Sequence, residues 1–117
     1  MIPASVRIFV CTEPQDMRRS FDGLALAARQ RLSEDPRSGA LFCFVNRRGN
    51  RLKALWWDRN GYCLLYKRLH QAIFVLPPAT SGEAPKVRID ARALGRLLAG
   101  VPRERRRKTR LNQGQRG

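Results

Sequence analysis

The stretch FCFVNRRGNRLKALWWDRNGYCLLYKRLHQAIF, running from Phe42 to Phe74, decides how this chain folds. Apolar runs of strand length alternate in it with short Arg- and Asn-bearing turns, which predicts three consecutive strands over Ala40 to Asn46, Arg51 to Asp58 and Tyr62 to Leu69. The connectors NRRGN and DRNG are short enough for hairpins. The Asn60-Gly61 pair is expected to supply the positive backbone dihedrals that a tight hairpin needs. The stretch therefore reads as an antiparallel meander edged in positive charge, and Ala72 to Leu76 is a candidate fourth strand.

Upstream of the meander, Ser5 to Thr12 (SVRIFVCT) reads as a first strand that Pro14 interrupts. From Asp16 to about Ser33, the residues Met17, Phe21, Leu24, Ala28 and Leu32 recur at intervals of three or four. That spacing places them on one face of a helix, with Asp16 as its expected N-cap. Glu34 to Gly39 is a loop. Downstream, Pro77 to Pro85 is a Pro/Gly/Ser connector, Lys86 to Ile89 a short extended segment, and Asp90 the cap of a helix over Ala91 to Ala99. Leu94, Leu97 and Leu98 are expected to face inward, and Gly100 and Pro102 to stop the helix. The expected fold is a single α+β domain over residues 1–102: a small antiparallel β-meander packed against one N-terminal helix, with a short C-terminal helix and a basic tail.

Charge points to the partner. The chain has 24 Lys and Arg against 9 Asp and Glu, a formal net charge of +15, with a sequence pI near 11.5. Hydrophobic residues make up 43%, enough for a core, so this is a folded basic protein and not a disordered tail. Such a field attracts phosphate backbones first and anionic membrane surfaces second; plain solubilising charge explains the richness in Arg better than the shortage of acids. The longest apolar run, Ala40 to Val45, is far too short for a signal core or a membrane span. A cytoplasmic protein without a membrane partner is expected. Cys11, Cys43 and Cys63 are odd in number, far apart and embedded in strand-like runs, so buried free thiols are expected.

Residues 103–117 (RERRRKTRLNQGQRG) carry seven basic residues against Glu104, a net +6, and a single aliphatic residue, Leu111. The segment reads as a flexible phosphate-binding arm, or else as a solvated tail. Each phosphate that such a cluster neutralises adds about 0.9 to the salt dependence of binding.

Several short motifs occur in an order and spacing that is similar to a known group. They are Asp16-Met17-Arg18-Arg19-Ser20-Phe21-Asp22-Gly23-Leu24; Asp35-Pro36-Arg37-Ser38-Gly39 with Leu41-Phe42; Asn46-Arg47-Arg48-Gly49 leading to Leu55-Trp56-Trp57-Asp58; and Gly61-Tyr62-Cys63-Leu64 with Tyr66-Lys67-Arg68-Leu69. Together they resemble the TnpB accessory proteins of the IS-sixty-six family of bacterial insertion sequences, over most of residues 2–99. The resemblance implies an accessory role in transposition of the element beside a separately encoded DDE transposase. The RNA-guided nuclease also called TnpB is a different and much larger protein, with metal-binding and nuclease signatures that this chain lacks. The chain departs from the family in carrying Ser20 where a glycine usually precedes the helix phenylalanine. It also has His70-Gln71-Ala72-Ile73-Phe74 in place of a basic, Gly-containing turn.

No catalytic constellation emerges from the residues. Asp16, Asp22 and Asp58 invite comparison with the carboxylates that hold two divalent ions in strand transfer, but a helix cap, a polar helix face and a turn account for them. His70 is the sole histidine, and no Ser or Cys has a neighbour that would activate it. No catalytic residue, metal site or cofactor is expected. The DNA-contacting residues expected from charge placement are Arg47 and Arg48 in the turn, Arg51, Lys53, Lys67 and Arg68 on the strands, and Arg105, Arg106, Arg107, Lys108 and Arg110 in the arm. Trp56 and Trp57 should point to opposite faces of the sheet. The expected function is non-catalytic assistance of the transposase at element ends through DNA binding. Two other readings stay open: an adaptor that docks on the transposase, and, more remotely, a small metal-dependent nuclease.

Overall fold

A computed structural model describes residues 5–79, 82 and 84–103. Along the chain it runs β1 (Ile8–Cys11), α1 (Phe21–Gln30), β2 (Leu41–Val45), β3 (Arg51–Asp58), β4 (Gly61–Arg68), β5 (Ala72–Ile73), β6 (Lys86–Ile89), α2 (Ala91–Ala99) and β7 (Val101–Pro102). Five strands form one sheet in the order β4-β3-β2-β1-β6, and β5 pairs with β7 in a separate two-stranded ribbon.

The α+β class and the β2-β3-β4 meander are as read from sequence. Long-range pairing enlarges the sheet beyond the meander. β1 lies parallel to β2, Ile8 opposite Leu41, with α1 as the crossover between them. On its other side β1 takes β6 antiparallel, Ile8 opposite Ile89. With β2 on one side and β6 on the other, β1 is an interior strand, and all four of its residues are buried.

Alternation along the strands divides the core into two layers. On one face, Phe9, Cys11, Phe42, Phe44 and Leu55 pack under Leu24, Ala25, Ala27, Ala28 and Leu32 of the α1 region. On the other, Ile8, Val10, Leu41, Cys43, Val45, Leu52 and Ala54 pack with Phe74, Leu94 and Leu97. Burying most of an aliphatic or aromatic side chain contributes roughly 1.5–3 kcal/mol, so each layer is a substantial stabilising unit.

Four local expectations need correction. The first helix begins at Phe21, with Ser20 as its N-cap, and not at Asp16. The Lys53 ammonium binds the Met17 and Arg19 carbonyls, so the Asp16–Ser20 stretch is held on the sheet as a turn. Phe21 is consequently 44% exposed instead of buried. The β3–β4 turn takes its positive φ at Arg59 (59°), not at the Asn60-Gly61 pair. The fourth meander strand shrinks to Ala72–Ile73 and leaves the main sheet to pair with Val101–Pro102. Finally, Cys11 and Cys43 are buried free thiols, but Cys63, on the edge strand β4, is half-buried.

The second helix matches its expected bounds. The Asp90 side chain accepts from the Ala93 N–H at 2.8 Å, and Gly100 follows at φ 76°. A Cβ at Gly100 would sit 2.5 Å from Leu69 Cδ1 and 3.0 Å from the Ile73 carbonyl oxygen. Glycine is thus required there on both conformational and steric grounds. Among the described residues, no helix is long and apolar enough to cross a membrane.

Candidate functional site

β1 and β2 end side by side, and the loops that leave their carboxyl ends form an open groove of about 740 Å³. Sheets containing parallel strands commonly place ligands at that end. One wall is Pro14, Gln15, Asp16, Met17 and Arg18; the other is Asn46, Arg47, Arg48, Asn50 and Arg51.

Local chemistry fixes the second wall. Asn46 closes the β2–β3 turn with its side chain: its Oδ1 accepts from the Arg51 N–H at 3.0 Å, and its Nδ2 donates to Asn50 Oδ1 at 2.8 Å. Gly49 sits at φ 77°, and its carbonyl accepts from the Phe74 N–H at 2.6 Å, which ties the turn to the following segment. Asparagine and glycine thus hold the backbone while Arg47 and Arg48, between them, stay exposed.

The first wall is fixed from below. The Gln15 N–H donates to the Val45 carbonyl at 2.9 Å. Lys53 is 7% exposed, and its ammonium donates to the Met17 and Arg19 carbonyls at 2.7 Å each. It also lies 4.8 Å from the centroid of the Tyr66 ring. A buried ammonium is tolerable only with such partners, and here the partners are the groove's own backbone. The Tyr66 hydroxyl in turn accepts from Arg51 Nη1 at 2.9 Å. One aromatic residue therefore orients a groove arginine and the lysine beneath the opposite wall.

Of the residues expected to contact DNA, the structure brings Arg47, Arg48, Arg51 and Arg68 to this end of the sheet. Arg51 and Arg68 are cross-strand partners in the β3–β4 ladder. Like charges directly opposite each other are destabilising unless an anion meets them. No described carboxylate lies within 4 Å of Arg47, Arg48, Arg51 or Arg68. Two expected residues are engaged elsewhere. Lys53 is buried under the groove, and Lys67 points to the other face, where its ammonium donates to the Leu98 carbonyl at 2.7 Å. That contact places a cation at the C-terminal end of α2, the favourable end for one. Both ammonium groups are thus taken up by backbone carbonyls. Arg105, Arg106, Arg107, Lys108 and Arg110 lie outside the described residues.

Sequence reasoning missed Arg18 and Asp16 as groove residues. Arg18 is exposed and forks onto Asp16, with Nε 2.9 Å and Nη2 2.6 Å from Asp16 Oδ2. The guanidinium beside it holds the Asp16 carboxyl down at about 2. The Asp16-x-Arg18 spacing is plain in the sequence, but only the turn geometry shows that it faces the hairpin. Trp56 and Trp57 do point to opposite faces. Trp56 joins the α2-side layer, while Trp57 lies edge-on to Tyr62 at 4.9 Å with the Arg37 guanidinium 4.6 Å from its ring. Among the described residues, no three His, Cys, Asp or Glu side chains gather as a metal-ligand group.

A small α+β domain with a groove lined by Arg18, Arg47, Arg48 and Arg51 defines a basic protein with these arginines gathered at one end of the sheet. Comparison with known proteins supplies the lineage. The family model for IS66 Orf2 like proteins matches residues 6–108, and the chain belongs to that family of insertion-sequence-associated accessory proteins. Among relatives, it is 39% identical over 103 residues to the uncharacterized protein y4hO of Sinorhizobium fredii (strain NBRC 101917 / NGR234), covering 86% of this chain and 87% of that one. It is 38% identical over 77 residues to the uncharacterized protein y4jC of the same strain, covering 66% of each. No solved structure matches the chain significantly.

Proposed function

We propose that this protein is a non-catalytic DNA-binding accessory factor of insertion-sequence transposition, acting in the cytoplasm and assisting a separately encoded transposase at element ends. The observation that carries this reading is the concentration of Arg47, Arg48, Arg51 and Arg68 at one end of the sheet without a described carboxylate against any of them. Guanidinium groups grip phosphate oxygens in a fork, and a wall of them neutralises several phosphates at once. Such contacts position a protein on a duplex without reading its sequence. Any preference for element ends must come from additional base or shape contacts, or from the transposase.

The test is fluorescence anisotropy of the full chain against a duplex carrying an insertion-sequence end and a scrambled duplex, at 50 and 200 mM salt. Each phosphate contact contributes about 0.9 to the slope of log affinity against log salt, so four contacts would weaken binding on the order of 100-fold across that fourfold rise. Reversing Arg47 and Arg48 to Glu is expected to weaken binding and to lower that slope by about 1.8, the share of two of the four contacts. Unchanged affinity in that double variant would remove the hairpin from the interface. Co-purification with the transposase that survives nuclease and high salt, in a protein without measurable DNA affinity, would favour an adaptor.

A further inference from the structure

The groove has four arginines and one carboxylate, and that carboxylate is already seated in one of the forks. Arg18 donates from Nε to Asp16 Oδ1 at 3.1 Å and from Nη2 to Oδ2 at 2.6 Å, the two-point geometry in which a guanidinium binds a phosphate. Asp16 also accepts from the Arg18 backbone N–H at 2.9 Å, so it is held in place independently of the arginine side chain. The Arg18 side chain is 91% exposed, so a ligand can reach it without moving the fold. Across the groove stand Arg47, Arg48 and Arg51, and among the described residues Asp16 is the sole acid in the lining.

From this arrangement, and resting on the DNA-binding reading above, we infer that Arg18 is a phosphodiester-binding residue of the groove and that Asp16 is its internal competitor. In the free protein the carboxylate occupies the fork; on a duplex a backbone phosphate replaces it, bound between Arg18 and the hairpin arginines. The exchange is isoelectric for Arg18, since one oxyanion takes the place of another. It needs little energy, because an exposed ion pair contributes at most about a fivefold factor to an equilibrium. Because the pair must open before Arg18 can take a phosphate, Asp16 weakens binding, and it does so through Arg18. The low pKa of Asp16, about 2, keeps the competitor ionised at any working pH.

The experiment is a double-mutant cycle on the full chain, read by anisotropy with a fluorescein-labelled 20-base-pair duplex in 100 mM salt. Asp16→Asn keeps an oxygen for the Arg18 N–H but gives up the fork. It is expected to tighten binding about three- to fivefold. Arg18→Gln is expected to weaken binding and to lower the salt slope by about 0.9, the loss of one phosphate contact. The decisive term is the coupling: in the Arg18→Gln background, Asp16→Asn should have almost no effect. Asp58→Asn makes the same charge change at the far end of β3, roughly 23 Å of strand away. That exceeds the screening length of about 10 Å, so it should leave affinity nearly unchanged.

An equal gain from Asp16→Asn with and without Arg18, or an equal gain from Asp58→Asn, reduces the effect to net charge and overturns the inference while leaving DNA binding intact. Failure of the wild-type chain to bind the duplex at all overturns the DNA-binding reading, and the inference with it.

Discussion

Replacing Lys53 by Met tests the central claim about how the groove is held. Methionine is similar in length and apolar, so the methylene packing between sheet and turn is retained while the ammonium is lost. What disappears is a pair of charge-assisted hydrogen bonds, at 2.7 Å each, to the carbonyls of Met17 and Arg19, together with the contact to the Tyr66 ring. Hydrogen bonds to charged groups contribute about 1.5–3 kcal/mol each, which sets an upper bound near 6 kcal/mol. Against this stands the cost of desolvating the ammonium, several kcal/mol, which the variant no longer bears. Water can also reach the Arg19 carbonyl, since that residue is exposed. The net expectation is a loss of about 2–3 kcal/mol, a large fraction of the stability of a domain this size. Urea titration followed by Trp56 and Trp57 fluorescence measures it, with thermal melts expected to fall by roughly 10–20 °C. The same variant frees the Pro14–Arg18 wall, so in conditions where it remains folded its duplex affinity should drop, although Lys53 itself is buried. A stability change below about 0.5 kcal/mol, with duplex affinity unchanged, would refute the view that Lys53 organises the groove.

Three further outcomes follow from the geometry. Gly100→Ala should destabilise by at least about 2 kcal/mol in a denaturant titration, because alanine disfavours φ 76° and its Cβ would collide with Leu69 and the Ile73 carbonyl. Burial pushes the Cys43 thiol up to about 12, so it stays protonated in the fold while the unfolded chain ionises it above about 9; burial raises the Cys11 thiol in the same direction. Protons are then lost on unfolding, and stability must fall as pH rises from about 9 towards 12. The wild-type slope should exceed that of Cys43→Ala by about 1.4 kcal/mol per pH unit, and equal slopes would contradict the burial of Cys43. In the native state a thiol reagent should label Cys63 first, and Cys43 only on a time scale set by unfolding; mass spectrometry of partially labelled protein distinguishes the two.

Sequence alone determined those parts of the protein whose causes are local. The bounds of β3, β6 and α2 follow from alternation, from the Asp90 cap and from Gly100, all within a few residues of the elements they delimit. The charge imbalance and the ordered motifs from Asp16 to Leu69 likewise need no coordinates, and the motifs carry the family resemblance. Where sequence reasoning failed, a distant residue overrode a local preference. The periodicity starting at Met17 reads as helix, yet Lys53, 36 residues on, takes the Met17 carbonyl and holds the stretch as a turn. Lys53 and Lys67 read as surface cations because both are basic residues on alternating strands. Only the packing of α1 and α2 on opposite faces of the sheet shows that each is consumed by a backbone carbonyl. The parallel β1–β2 pairing, and the β1–β6 pairing that joins residues about 80 apart, leave no signature in either strand, because the chain closure that creates them is not encoded in any window of sequence. The groove depends on both kinds of information. Its arginines are legible one by one, but Arg18, Arg47, Arg48, Arg51 and Arg68 come from three separate segments, and only the register of the sheet brings them to one end.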